Sequence, residues 1–397
     1  MRIREQLTTE VVGDYDVIVC GGGFAGMSAA LAAVRQGKNV LLIDSLYMVG
    51  GLGTAGLIRI YLPICDGYGK QVSFGIAEEW LRLSVAEGAE GFGAENWLQG
   101  GSRTKKDQRF RTFFNPHLYA VLAEQRLHEE GVTLLYGTKV VGVDMQDGKI
   151  KHVIVENKSG RVAYAAKSVV DATGDCDVAH YAGLPTATFQ QRNVLAGWYA
   201  TVEKGRFQVN QLGAADIPDE EKTEEQKLQP QGRRFSGLEG EEITEFMRLS
   251  HQFSYENYRK RQKEDGDQKE FALVATMPQL RMTRKLVGEY ELAESEQHTY
   301  FEDSIGMISN WKQRGPVYEV PFRTLYNASV KNLITAGRCI SVDENMWDVS
   351  RVIPCCSVTG EAAGIAAAMT EDFSTLDVKA LQEKLVAAGV KLHEKDL

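Results

Sequence analysis

Tyr15-Asp-Val-Ile-Val-Cys-Gly-Gly-Gly-Phe-Ala-Gly26 is the stretch that decides the fold. Its first half is a run of β-branched and apolar residues, the texture of a short strand buried on both faces. Its second half sets Gly21, Gly23 and Gly26 in the pattern G-x-G-x-x-G. Met27 to Gln36 then reads as an Ala-rich helix closed by Gly37, and Asn39-Val-Leu-Leu-Ile-Asp44 as a second buried strand. Strand, glycine turn, helix and strand within about 30 residues predict a βαβ unit in a parallel sheet. In that setting the first glycine makes the turn, the second admits a pyrophosphate, and the third lets the helix pack on the sheet. The helix that follows the turn offers free N–H groups and a positive end that suit phosphates. Asp44, at the tip of the second strand, is placed to accept hydrogen bonds from ribose hydroxyls. Together these point to a bound dinucleotide.

Which dinucleotide follows from what comes next. A nicotinamide-binding domain continues directly into further βαβ units. Here a second glycine loop, Gly50-Gly-Leu-Gly-Thr-Ala-Gly56, is followed by an amphipathic helix between Gly69 and Gly88, and then by a polar loop from Leu98 to Arg111. A helix with Pro116 in its first turn runs to Glu130, and short strands follow at 131–136, 139–145, 150–157 and 161–165. Further buried strands, Ser168–Ala172 and Asn332–Ala336, arrive late. A cofactor wrapped by segments this far apart is long and buried lengthwise, as FAD is. No second G-x-G-x-x-G follows a strand, and Gly91-Phe-Gly93 lacks the context, so a separate NAD(P)H domain is not expected.

Between Gly183 and about Gly315 the texture changes. Pro218 to Gly240 is charged, Glu241 to Glu264 reads as a charged amphipathic helix, and Leu280 to Tyr290 is rich in Arg and Leu. Beyond it, helices are expected over Thr359–Met369 and Leu376–Ala388. The fold class is α/β, with a second, α+β domain inserted between sheet elements.

Composition agrees. The chain has 397 residues, 45 Lys and Arg against 54 Asp and Glu, and a net charge of −9. An acidic surface repels phosphate backbones and anionic lipids, so neither nucleic acid nor a membrane is expected as a partner. Glycine, at 39 residues, exceeds the usual share of roughly 7%, which fits close backbone approach to a ligand. The six cysteines form no Cys-x-x-Cys pair, so no metal is expected. The nearly apolar run Val17–Val34 has the length of a membrane span, but its three glycines and change of period make it a strand turning into a helix. The N-terminal residues are charged and lack an apolar leader core, so a cytoplasmic location is expected.

Several stretches carry a family resemblance. These are the Tyr15–Gly26 and Gly50–Gly56 segments, Asp171-Ala-Thr-Gly-Asp175, Leu280-Arg-Met-Thr-Arg284, Asn332-Leu-Ile-Thr-Ala-Gly-Arg-Cys339 and Arg351-Val-Ile-Pro-Cys-Cys-Ser-Val-Thr-Gly-Glu-Ala-Ala-Gly364. In them the chain resembles the FAD-dependent oxidoreductases related to the fumarate reductase and succinate dehydrogenase flavoproteins. The resemblance implies a Rossmann-like FAD-binding domain of glutathione-reductase type, a parallel sheet plus a β-meander, made from residues 1–185 and 316–397. Residues 186–315 would then form the inserted substrate domain. It implies that Gly21, Gly23, Phe24, Ala25 and Gly26 hold the pyrophosphate and that Asp44 and Ser45 hold the adenosine ribose. Gly51 and Thr54 would approach the ribityl and flavin side, Val140 the adenine, and Thr173 and Gly174 the adenine half. Gly337 and Arg338 would lie along the pyrophosphate, and Gly360, Ala363 and Gly364 would start a helix facing the flavin. Phe24 stands where relatives often have proline, and Glu344-Asn345 where they often have His-Glu, which removes any histidine-based chemistry from the transfer.

Arg351, Glu344 and Arg284 are the candidate catalytic residues, and the chemistry centres on Arg351, beside the expected flavin-edge helix. Two roles are open to it: clamping or stabilising an anionic substrate, or a structural ion pair with Glu344 or Asp348. Arg281 and Arg284 are expected on one face of a cap helix, within reach of the cleft or solvated. Cys355-Cys356 reads as two small packed side chains rather than a strained vicinal disulfide. The expected reaction is hydride transfer between flavin N5 and a small organic substrate, a C–C or C–O dehydrogenation or the reduction of an activated alkene, with an external electron donor or acceptor completing the cycle. Two alternatives stand beside it: a flavin-bearing electron-transfer subunit of a larger complex, and a thiazole-synthase-like protein that consumes its dinucleotide.

Overall fold

The computed structural model describes residues 3–86, 89–90, 112–213, 233–265 and 269–397. The expected loop at Leu98–Arg111, Gly91-Phe-Gly93 and most of the charged stretch Pro218–Gly240 lie outside the described residues. In chain order, β1 (Glu10–Cys20), α1 (Phe24–Arg35) and β2 (Val40–Ile43) make the βαβ unit. Then come β3 (Ile60–Tyr61), α2 (Ile76–Ala86), β4 (Ala89–Glu90), β5 (Thr112–Phe114) and α3 (Pro116–Glu129). β6 (Thr133–Leu135), β7 (Lys139–Gln146), β8 (Lys149–Asn157) and β9 (Gly160–Asp171) follow, and α4 (Asp177–Tyr181) leaves the sheet. The middle of the chain holds β10 (Thr186–Thr188), β11 (Tyr199–Glu203), β12 (Arg206–Asn210), α5 (Gly240–Asp265), β13 (Lys269–Val274), β14 (Arg284–Leu286), β15 (Ser304–Ser309) and β16 (Val317–Pro321). β17 (Leu333–Thr335), α6 (Glu344–Ser350), α7 (Ile353–Met369) and α8 (Val378–Ala387) complete it.

The main sheet is parallel at its centre. β2 and β9 flank β1 in parallel, β6 extends the β2 edge, and β17 lies parallel to the end of β9. β7 and β8 form an antiparallel meander on β9. The fold is α/β with a Rossmann-like architecture. Its central strands are apolar without alternation because both faces are covered, as a parallel sheet requires. α1 is buried from Phe24 to Ala33 and α7 from Pro354 to Ala367. α7 is buried on every side along most of its length, the mark of a core helix. Among the described residues no single helix is long and apolar enough to cross a membrane. The apolar run Val17–Val34 divides, as expected, into strand, turn and helix.

Three expectations need correction. The strands expected separately at 161–165 and 168–172 are one strand, β9, whose first half pairs with β8 and whose second half pairs with β17 while β1 runs along its other edge. No helix carries Arg281 and Arg284: the first lies in an irregular stretch and the second begins β14, which pairs antiparallel with β10. α7 starts at Ile353, six residues earlier than read, because Pro354 sits in its first turn, where a missing N–H costs nothing. The middle of the chain also contains an antiparallel sheet of order β12-β11-β13. Position 315 falls in the turn of the β15–β16 hairpin, whose first strand packs on α7.

Candidate functional site

Because β1, β2, β9 and β17 run parallel, their C-terminal ends open on the same side. The residues just past those ends, Gly21, Asp44, Ala172 to Asp175 and Ala336 to Arg338, line one cavity. It encloses about 1370 Å³ of empty space, its open mouth included. Crevices beyond the carboxyl ends of parallel strands are where such sheets bind ligands.

The first turn is shaped by contact. Gly21 has φ +103°, and a Cβ there would lie 2.4 Å from the Ala172 carbonyl oxygen. A Cβ on Gly26 would lie 1.8 Å from the Gly21 oxygen, so this glycine closes the helix onto the turn and stays out of the cavity wall. Gly23, Phe24 and Ala25 do line the cavity, and no atom lies within 4 Å of where a Gly23 Cβ would be. The second loop docks on the first: Gly50 N donates to the Gly22 oxygen at 2.7 Å. Gly51 lines the cavity; Thr54 lies behind it, its hydroxyl donating to the Val49 oxygen at 2.6 Å.

Two helix starts meet this cavity, and they share a feature. α1 begins at Gly23 and α7 at Val352, and neither has a side chain capping its first turn. By contrast α3, α6 and α8 are closed by the side chains of Asn115, Asp343 and Asp377. Unmet N–H groups and the positive ends of two helices therefore border one cavity, an arrangement that favours anionic groups such as a pyrophosphate. Asp44 supplies the opposite chemistry. It is nearly buried, and burial pushes its pKa up while backbone N–H groups of Leu46 and Gly22 pull it down. Ser45 and Val140 line the cavity beside it, with Thr138 and Lys139. Phosphate-seeking donors and a carboxylate facing the same cavity suit a cofactor with a pyrophosphate and a ribose.

Thr173, Gly174, Gly337 and Arg338 line the cavity as well. Arg338 is fixed by the Leu280 carbonyl oxygen and by Asp175 Oδ1 at 3.4 Å. Gly360, Ala363 and Gly364 do not line it, which corrects the expectation that they start the helix at the flavin. They lie inside α7. A Cβ on Gly360 would fall 2.2 Å from the Ala25 oxygen, and one on Gly364 2.1 Å from the Ala29 oxygen. Their smallness lets α7 cross α1 at close range, and the residues of α7 that reach the cavity are Ile353 and Cys356. Cys355, one position earlier on the helix and so turned about 100° away, is not in the wall. The Cys356 thiol donates to the Arg351 oxygen at 3.2 Å, and burial pushes its pKa up to about 12.

The three candidate catalytic residues separate. Arg351 lines the cavity, and its Nε donates to Asp348 Oδ1 at 2.8 Å. Glu344 does not line it, and its Oε1 accepts from Gln190 N at 2.8 Å. Arg284 stands behind the wall, donating to Asp177 Oδ1 at 2.6 Å and to the Asp175 oxygen at 2.9 Å. Asp175 and Asp177 themselves face the cavity. Burial, with Asp175 and Asp171 nearby, raises the Asp177 pKa to about 6. Sequence reading missed the wall formed by Thr276, Met277 and Pro278, which carries no motif. Those residues reach the site because Thr276 N donates to the Ala55 oxygen at 2.9 Å, a contact 221 residues apart in sequence.

Curated relatives match only part of this architecture. The chain is 31% identical over 215 residues to the tRNA uridine 5-carboxymethylaminomethyl modification enzyme of Treponema pallidum, covering 51% of this chain and 30% of that protein. It is 26% identical over 172 residues to the enzyme of the same name from Alkaliphilus oremlandii, covering 41% and 24%. The chain thus spans less than a third of the length of these relatives. Among solved structures, a geranylgeranyl bacteriochlorophyll reductase-like protein of Thermoplasma acidophilum aligns at 14% identity with a TM-score of 0.45, over 95% of this chain and 84% of that one. Residues 16–198 and 187–385 match the sequence model of the FAD dependent oxidoreductase family, and the chain belongs to that family, with FAD as its cofactor.

Proposed function

We propose that this oxidoreductase moves a hydride between its flavin and a small organic molecule, by dehydrogenating a C–C or C–O bond or by reducing an activated alkene. FAD, when bound, supplies a two-electron centre that accepts or gives a hydride. The observation that carries the reading is the wall where the second glycine loop meets the 276–278 segment and the start of α7. Gly53 and Ile353 both line the cavity there, Met277 and Pro278 add apolar surface, and Arg351 is its permanent cation. Such a wall excludes water and holds positive charge where an oxygenated substrate gains or loses electron density.

Roles follow for the chain's own residues. Gly23, Phe24, Ala25 and Gly51 offer backbone to the pyrophosphate, and Arg338 adds charge. Asp44 and Ser45 hold the ribose, Val140 borders the adenine, and Thr173 and Gly174 close over that half. Thr54, Gly26, Gly360, Ala363 and Gly364 support these residues from behind. The segment from about 186, which contains β11 to β13, covers the substrate side. An external donor or acceptor completes the cycle. A small molecule is a better substrate for this surface than RNA, because a net charge of −9 repels phosphate. On its motifs we also place the chain beside the fumarate reductase and succinate dehydrogenase flavoproteins.

Anaerobic exposure of the yellow, FAD-loaded protein to a panel of hydroxy acids, amino acids and saturated acids tests the reading, with the reduced protein tried against enoates. One class should bleach or restore the flavin colour. Exchange of electrons with a protein partner alone, and with no small molecule, would sink it.

A further inference from the structure

We propose that Arg351, Lys312 and Asp348 form a subsite for the carboxylate of the substrate, in which Asp348 holds both cations and leaves one charge uncompensated at the cavity wall. The inference rests on the hydride-transfer reading above and names the substrate class it takes.

The geometry is specific. The Arg351 side chain is nine-tenths buried, and its Nε and Nη2 both donate to the same oxygen, Asp348 Oδ1. The Lys312 ammonium pairs with the other oxygen, Oδ2. One carboxylate therefore serves two cations, and the group keeps a net charge of +1. Asp348 is deeply buried, yet Arg351 and Lys312 more than offset the burial and hold its carboxyl below the usual range. It stays ionised and fully shared. Because Arg351 is engaged through one edge of its guanidinium, Nη1 has no partner among the described residues, and Arg351 lines the cofactor cavity.

Trp311 fixes the group in place. Its Nε1 donates to the Asp348 carbonyl oxygen at 2.8 Å, and its ring lies 5.9 Å from the Arg351 guanidinium carbon and 5.9 Å from the Lys312 nitrogen. Two cations on one indole, tied to one buried carboxylate, are held with little freedom to reorganise. An excess of one positive charge, shared between the buried Arg351 that lines the cavity and the part-exposed Lys312 behind it, favours a single anion. A planar carboxylate matches a guanidinium edge, and the neighbouring wall of Met277, Pro278 and Ile353 suits the hydrocarbon part of the same molecule.

The experiment uses the FAD-loaded protein and follows the visible spectrum of its flavin. Acetate and benzoate are titrated against acetamide and benzamide at constant ionic strength. The carboxylates should perturb the spectrum saturably and the amides should not. Lys312→Met should weaken benzoate binding roughly tenfold, the scale of one charged interaction, with FAD content unchanged, and Lys312→Arg should restore it. Arg351→Met should abolish the perturbation. Equal responses to amides and carboxylates, or no response to any carboxylate in protein that is yellow and reducible by dithionite, would overturn the proposal. So would benzoate binding unaltered in Lys312→Met, or loss of FAD from Arg351→Met, which would put the guanidinium on the cofactor. Protein that binds no flavin at all would instead fail the reading on which this one rests, and take this one with it.

Discussion

The Asp44 carboxylate reaches back across the βαβ unit to the glycine turn, where Gly22 N donates to its Oδ2 at 2.5 Å while Leu46 N donates to Oδ1 at 2.7 Å. One side chain thus shapes the glycine turn and faces the cavity. Asp44→Ala should weaken FAD binding by about 1–3 kcal/mol, the cost of a lost charged hydrogen bond. Because the turn loses its brace, the melting temperature of FAD-free protein should fall too. Dialysis against FAD and a thermal melt measure the two effects separately. Full FAD retention would remove Asp44 from the site.

The α1–α7 crossing predicts a coupled loss. A Cβ added at Gly360 meets the backbone oxygen of Ala25, which cannot swing aside as a side-chain tip can, and Ala25 lines the cavity. Gly360→Ala should destabilise by about 1–3 kcal/mol, the usual cost of overpacking, and should weaken FAD binding through the displaced turn. Unchanged chemical denaturation of the variant would show that the helices do not cross so closely.

What the sequence revealed and what it hid divide along the line between local and distant causes. The first strand, the glycine turn, α1 and Asp44 were legible because each signal lies within a few residues of its effect. The helix expected from Thr359 starts six residues earlier, at Ile353, because Pro354 sits in its first turn, and a proline there looks the same in sequence as a proline that ends a helix. The cap helix expected around Arg281 and Arg284 failed because β14 exists only through its pairing with β10, about a hundred residues earlier, which local composition does not encode. Gly360 and Gly364 looked like cofactor glycines. Their reason is the distant backbone of α1, and only the packed structure supplies it. Thr276 to Pro278 enters the site the same way, through a long-range hydrogen bond.

Arg351 makes the ion pair with Asp348 that sequence reading allowed and also lines the cavity, where the substrate role we propose for it would be played. Arg351→Lys keeps the charge and can keep the pair, but loses the planar fork. Turnover per bound flavin should drop by roughly 100-fold, with FAD content and melting temperature little changed. A lowered melting temperature with wild-type turnover would leave Arg351 a purely structural ion pair.

The source of electrons is constrained by topology. Among the described residues the parallel sheet carries one glycine-turn βαβ unit, and the sheet β12-β11-β13 in the middle of the chain is antiparallel. NADH and NADPH should therefore reduce the flavin slowly in anaerobic stopped-flow mixing. Rapid stoichiometric reduction by either at micromolar concentration would contradict this.

Glu361 makes the clearest pH prediction. It projects from α7 to the start of α2, where Ile76 N donates to its Oε2 at 2.8 Å, and it is buried. Burial raises its pKa to about 8, against an ordinary 4.5, despite the pull of that backbone bond. Between those two values the folded protein holds a proton that the unfolded chain has released. Unfolding then releases a proton, so stability falls as pH rises through this window and levels off above the folded pKa. Glu361→Gln keeps the shape and an acceptor for Ile76 N but cannot ionise. Its melting temperature should decline less than that of the wild type between pH 6 and 9, a window on the scale of the raised pKa. The two curves should converge toward low pH, where the wild-type carboxyl is neutral as well. Parallel curves across the whole range would show that Glu361 is charged in the fold, and that another group sets the alkaline loss of stability.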